Sequence, residues 1–187
     1  SNACAASLYA LAMAMDLIEA GETEHVVVAG VDIISTSMFG LLDRVHPVPP
    51  TSLRPFDADR GGVLMGEGAV AVVVSASGGR GPIVHSVALG CDAFHVTAPD
   101  PLRMAECMRA AQDAAGLSPD DVGLVLAHGT GTVLNDRAEG AALTSIWSDG
   151  RSPAVTAIKG ATGHTSGGSG LFSLMIAAEC LRRGVVT

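Results

Sequence analysis

Four residues stand where chemistry could be done. Cys4 lies just ahead of an Ala/Leu/Met-rich run, in ACAAS. His128 opens HGTGT, directly after the apolar run VGLVLA. Lys159 and His164 share the segment KGATGHTSGGSG, between the apolar run AVTAI and a further helix-forming stretch. A cysteine at a helix N-terminus meets unpaired N–H groups and the positive end of the macrodipole, which favour the thiolate and lower its pKa. A histidine at the C-terminal end of a strand sits where α/β folds bind ligands. Glycines beside it let a substrate approach the backbone. A lysine five residues before a histidine can orient and tune it. One nucleophile with two histidines points to acyl transfer through a thioester, with the histidines stabilising charge on a carbonyl oxygen. Taken singly, a cysteine or a histidine here reads more readily as part of a packed core. The Gly/Ser/Thr-rich segment also resembles a phosphate loop, but its lysine comes first and the pattern GxxxxGK[ST] is absent.

The elements that must position these groups follow from pattern. Helices are predicted over residues 4–20, 102–115, 136–147 and 170–183, with Gly21, Gly116 and Gly184 as stops. Apolar, β-branched runs predict buried strands over 24–34, 68–75, 83–90, 122–127 and 154–158. Residues 35–62 read as a long loop, 77–82 as a turn or hinge, and Ser118 to Asp121 as a turn or helix start. Alternating strands and helices predict an α/β fold with a largely parallel sheet covered on both faces. One repeat is visible. SLYALAMAMDLIEAG, from Ser7, matches GLFSLMIAAECLRRG, from Gly170, and each follows a candidate catalytic residue.

Composition narrows the classes. The 187 residues are 48% hydrophobic and 16% charged, with 23 glycines, which suits a compact core of small residues. Every apolar run is interrupted well before the ~18 residues of a spanning helix, so no membrane segment is expected. The net charge of −8 and the lack of a Lys/Arg stripe argue against nucleic acid. Cys4, Cys91, Cys107 and Cys180 are widely spaced, which argues against zinc and a disulfide framework and fits a reducing cytoplasm. No metal or bound cofactor is expected. Both ends read as cut.

The ordered set NACAAS, RPFDADRGGVLMGEGA, DAFHVTAPDP, AHGTGT and KGATGHTSGGSG resembles the β-ketoacyl synthases, specifically the elongating Cys-His-His condensing enzymes of the thiolase superfamily. The resemblance implies the thiolase fold, an α-β-α-β-α sandwich of two duplicated halves that is incomplete here. Residues 1–77 would be the latter part of the N-terminal half and 78–187 most of the C-terminal half. It implies decarboxylative Claisen condensation, with Cys4 carrying the acyl chain, His128 and His164 assisting decarboxylation, and Lys159 organising the histidines. The Cys4 N–H would form half of an oxyanion hole. Substrates would arrive on the phosphopantetheine of an acyl carrier protein, with Thr97, Thr130 and Thr132 along that arm. A homodimer, or a partner chain supplying the missing half, is implied. Asp57, Arg60, Glu67, His95, Asp136 and Glu139 match the family's architectural positions. Met38, Phe39 and Leu41 would line the acyl tunnel or an interface, or simply pack. Ser173 stands where many relatives have a glutamate paired with the lysine. Two other readings remain: a thiolase-fold acyltransferase without decarboxylation, and a non-catalytic synthase-like partner subunit, which typically lacks the cysteine.

Overall fold

The structure is a computed structural model that describes residues 2–45, 48, 50–79, 81–93, 95, 98–148 and 150–186. The chain opens with a 3-10 turn (Ala3–Ala5) and helix α1 (Ala6–Glu19). Strand β1 (His25–Asp32), helix α2 (Thr36–Val45) and strand β2 (Gly68–Ser75) follow. Helix α3 (Pro101–Ala115) leads through a 3-10 turn (Pro119–Asp121) to β3 (Leu124–Leu126), α4 (Val133–Ile146) and β4 (Ala154–Thr156). A short helix α5 (Lys159–Thr162), a third 3-10 turn (Ser166–Gly168) and α6 (Ser169–Arg183) complete it.

The helices end where glycine allows it. Gly116 and Gly184 follow α3 and α6 in the left-handed region, with φ of 68° and 67°. Asp100 caps α3 by accepting from the Leu102 N–H, and Pro101 takes the first helical position, where no N–H is needed.

The sheets depart from the parallel arrangement read from sequence. β1 and β2 pair antiparallel, from His25 opposite Ser75 to Asp32 opposite Gly68. β3 and β4 pair in parallel across α4, Leu124 to Leu126 against Ala154 to Thr156. Alternation of strand and helix records how long a connection is, not which way the next strand runs. The loop expected over 35–62 contains α2. The strand expected over 83–90 has no ladder among the described residues. Its apolar pattern is real, but a strand also requires a hydrogen-bonded neighbour. Instead this segment lies along α3, where the Ser86 hydroxyl donates to the Ala111 carbonyl oxygen.

The core lies between α1, α6 and one face of the β1–β2 sheet. Ala14, Val28, Val70 and Leu171 form its centre, with Val26, Val72, Phe172 and Leu174 packed around it. Leu171 is fully buried, at 0% exposure. The other sheet face is apolar and open: Val27, Val31 and Val73 are 69%, 66% and 69% exposed.

The repeated segments meet in space. The Leu171 N–H donates to the Ser7 hydroxyl oxygen at 3.3 Å. A Cβ on Gly170 would come within 2.4 Å of the Leu8 side chain. The offset that sets Ser7 against Gly170 also sets Ala3 against Ser166. Both are non-glycine residues at positive φ, 43° and 39°, and each opens a 3-10 turn that runs into a long helix. Such backbone costs roughly 1–3 kcal/mol and persists where the surroundings impose it. Its recurrence at matched positions is a structural sign of duplication beyond the sequence match.

Candidate active site

Cys4, His128, Lys159 and His164 come together although they are spread over most of the chain. Cys4 is carried by the first 3-10 turn, directly ahead of α1. His128 follows the end of β3, and Lys159 begins α5. His164 lies between α5 and the turn at 166–168.

His164 Nε2 is 3.0 Å from Cys4 Sγ. The two imidazoles meet edge to face, with centroids 5.3 Å apart at 86°. Sγ and one nitrogen of each ring lie within 4.8 Å of one another. Among the described residues this is the set spaced to hold a metal ion, but the Lys159 ammonium beside it opposes a second cation.

Lys159 is 2% exposed. Its Nζ donates to the His128 carbonyl oxygen at 2.5 Å and lies 3.4 Å from His128 Nδ1. An ammonium donating to Nδ1 leaves the ring proton on Nε2, so His128 presents a donor. Burial pushes the Lys159 ammonium down from its ordinary value, while Glu139 pulls it back up. Glu139 thus supplies the leading favourable charge to a lysine that has Ser173, not glutamate, nine residues after His164.

The backbone around the site is held by buried carboxylates. Glu139 accepts from the N–H groups of His128 and Gly129 at 2.6 and 2.8 Å. Asp136 accepts from the Phe56 and Gly131 N–H groups, at 2.7 and 3.2 Å, and faces Arg60 Nε at 3.9 Å. The amide of Asn135 donates to both acids. The GEG stretch pins His164 from the other side. The His164 N–H donates to the Leu64 carbonyl oxygen, and the Gly66 N–H to that of His164. Gly66 is required because a Cβ there would lie 2.0 Å from the Thr162 carbonyl oxygen. Glu67 accepts from the Ile34 N–H, and the Asp57 carbonyl oxygen accepts from the Arg60 guanidinium.

The charge state differs from the sequence expectation. The Cys4 thiol is raised, not lowered. Burial is the largest cause, and Asp32 adds to it. The thiol's own backbone N–H and Lys159 pull the other way and lose. Burial and then Lys159 bring His164 down to about 4, against the pull of Asp32. Burial, then Lys159, then His164 bring His128 down to about 3. The resting pair at neutral pH is a thiol and a neutral imidazole, not a thiolate and an imidazolium.

These histidines make stability depend on pH. Their folded pKa values lie below the ordinary 6.5, so the unfolded chain binds more protons in between. Their contribution is complete above about pH 6.5 and is lost as pH falls toward about 4. The urea midpoint is expected to drop between about pH 7 and about pH 5. A His128→Asn, His164→Asn protein should show a smaller drop. An equal drop would assign the effect to other groups.

The remaining candidates divide. The hydroxyls of Thr130 and Thr132 bond each other at 2.9 Å, and Thr132 also caps α4 by accepting from the Asn135 N–H. Thr97 lies outside the described residues. His95 Nδ1 accepts from the Ala98 N–H within its own loop. Phe39 is exposed, Met38 is half-buried, and the Leu41 side chain lies outside what is described. Asp32 went unread in the sequence. Its one signal is an acid closing an otherwise apolar strand.

Comparison with known proteins accords with this geometry. Residues 1–77 match "Beta-ketoacyl synthase, N-terminal domain" and residues 83–187 match "Beta-ketoacyl synthase, C-terminal domain". The chain is 34% identical over 202 residues to the putative polyketide beta-ketoacyl synthase 1 of Streptomyces virginiae, covering 100% of this chain and 48% of that protein. It is 33% identical over 202 residues to 3-oxoacyl-[acyl-carrier-protein] synthase 2 of Mycobacterium tuberculosis, covering 99% and 48%. The chain thus spans about half the length of the curated relatives it matches. Among solved structures, the ketosynthase of Xenorhabdus doucetiae in complex with its chain length factor superposes with a TM-score of 0.90 at 31% identity, covering 98% of this chain and 46% of that one. The likeness in structure assigns the α/β layers to the thiolase fold. With two family segments running through nearly its whole length, and a cysteine from the first meeting two histidines and a lysine from the second, this chain belongs to the β-ketoacyl synthase family.

Proposed function

We propose that the intact protein is a β-ketoacyl-[acyl carrier protein] synthase of fatty-acid or polyketide synthesis, and that Cys4, His128, His164 and Lys159 are its reaction centre. The observation that carries this reading is the 3.0 Å approach of His164 Nε2 to Cys4 Sγ with His128 set edge-on beside it. In the first half-reaction Cys4 Sγ attacks the acyl thioester carbonyl. Its proton passes toward His164, the bond to the carrier thiol breaks, and that thiol leaves protonated. In the second, a malonyl-type thioester loses CO₂. The electrons of the broken C–C bond pass into an enolate, whose oxygen accepts from the Nε2–H of His128, with an N–H of neutral His164 as the second donor. The enolate carbon attacks the acyl carbonyl on Cys4, the C–S bond breaks, and the departing thiolate takes a proton from solvent to restore the thiol. Neutral histidines suit this step, because they donate hydrogen bonds to a developing oxyanion without protonating the carbanion.

Substrates on the phosphopantetheine of an acyl carrier protein follow from the same reading, with Thr130 and Thr132 beside the arm. The exposed apolar face of β1–β2 supports a covering layer in the intact protein, and the complex of the Xenorhabdus relative with its chain length factor supports a partner chain or second copy. A division into a latter N-terminal half (1–77) and most of a C-terminal half (78–187), and a cytoplasmic location, belong to the proposal. No helix among the described residues is long and apolar enough to cross a membrane.

The test is incubation of the intact protein with acyl- and malonyl-carrier proteins, read by mass spectrometry and CO₂ release. Acyl-Cys4, CO₂ and a β-ketoacyl product are expected. Acyl-Cys4 without CO₂ would convert the reading to a plain acyltransferase. Absence of acyl-Cys4 would leave a non-catalytic partner subunit.

A further inference from the structure

Asp32 closes β1, and the sheet register sets it opposite Gly68. Its Oδ2 accepts the Gly168 N–H at 3.1 Å, so it anchors the turn that follows His164. The backbones are close there. A Cβ on Gly30 would lie 2.8 Å from the Gly168 Cα. A Cβ on Gly167 would lie 3.4 Å from Asp32 Oδ2 and 3.6 Å from the Ala3 carbonyl oxygen. The carboxylate therefore stands where the end of β1, the turn bearing Cys4 and the turn following His164 converge. Both turns begin with a residue at strained positive φ, so both need holding from outside. Among the described residues Asp32 makes no ion pair.

We propose that Asp32 is a positioning residue for the Cys4–His164 pair: it ties the 166–168 turn to β1, and its carboxylate counters the Lys159 ammonium at the thiol and imidazole. The pair is faced by Lys159 from α5, by His128 from the end of β3 and by Asp32 from β1. Glu139 and Asp136 of α4 act on Lys159. Lys159 favours the thiolate and the neutral imidazole, while Asp32 favours the thiol and the imidazolium. Burial is the main reason the thiol keeps its proton, and Asp32 offsets part of the opposing pull of Lys159 on the thiol and on His164.

The inference rests on Cys4 being the reacting thiol, and its test does not need synthase activity. Alkylation of the intact protein by iodoacetamide is followed against pH at the Cys4 peptide by mass spectrometry. Asp32→Asn keeps a side-chain oxygen for the Gly168 N–H and removes only the charge. Its alkylation inflection is expected at lower pH than in the parent. At one pH below that inflection, Cys4 should react roughly threefold faster. Asp32→Ser, also neutral and smaller, gives the same readout if the Asn protein does not fold. A purely structural Asp32 would leave the inflection in place. An unchanged or raised inflection in a folded, charge-free variant overturns the proposal. Failure of carrier-protein acylation with a shifted inflection would overturn the synthase reading and leave this one standing.

Discussion

A Cys4→Ser protein is expected to lose acyl transfer from carrier protein by at least about a thousandfold while keeping its fold. Serine replaces the thiol with little change in size and still offers a hydrogen bond to His164. What it removes is a group that His164 can deprotonate. With its pKa near 4, His164 is a weak base. On the proposed mechanism it serves a thiol, even one raised by burial, and fails with a hydroxyl several units less acidic. Intact-mass measurement after incubation with acyl-carrier protein checks this, with the thermal midpoint as the control for folding. Comparable acylation of the serine protein would sink the assignment. So would acyl mass on Cys91, Cys107 or Cys180 in the parent.

Glu139→Ala should be the most damaging single change away from the reacting atoms. Glu139 is 2% exposed and accepts from two backbone N–H groups at the end of β3. It is also the leading charge that stabilises the buried Lys159 ammonium. Its removal leaves two donors unpaired, one buried and one half-buried, and a buried cation without its leading counter-charge. Losses of this kind cost about 3–5 kcal/mol, a large part of a domain's net stability. The urea midpoint should fall sharply, and Cys4 alkylation should change because Lys159 acts on that thiol. Glu139→Gln restores one acceptor but not the charge, and should recover only part of the loss. A Glu139→Ala protein within about 0.5 kcal/mol of the parent would show that the two N–H groups find other partners.

Much of the candidate site was named from residue types and motifs. Cys4 alone reads first as a structural thiol, and it becomes a candidate only beside His128, the Lys159/His164 segment and the order of the motifs. His128 and the Lys159/His164 segment were legible because glycine-rich turns after apolar strands are where folds of this class bind ligands. Helices α1, α3, α4 and α6 were legible because propensity and glycine stops are local: Gly116, for example, ends α3. Helix α2 was missed inside a stretch read as loop, and the other missed parts are non-local. The pattern over 83–90 showed apolar residues but not the absence of a partner strand. The antiparallel β1–β2 register depends on how two runs meet across α2 and a long connection.

Cys4 marks the boundary between the two kinds of information. Its identity and its place before a helix were determined by the sequence alone, since they are matters of residue type and local backbone preference. Its meeting with His128, Lys159 and His164, and its charge state, were not. A helix N-terminus by itself favours a thiolate, and the folded chain reverses that by burying the thiol and bringing Asp32 near it. Burial and long-range charge are sums over neighbours far apart in the chain. Only the tertiary structure sets which neighbours those are, and so whether Cys4 rests as a thiol or a thiolate.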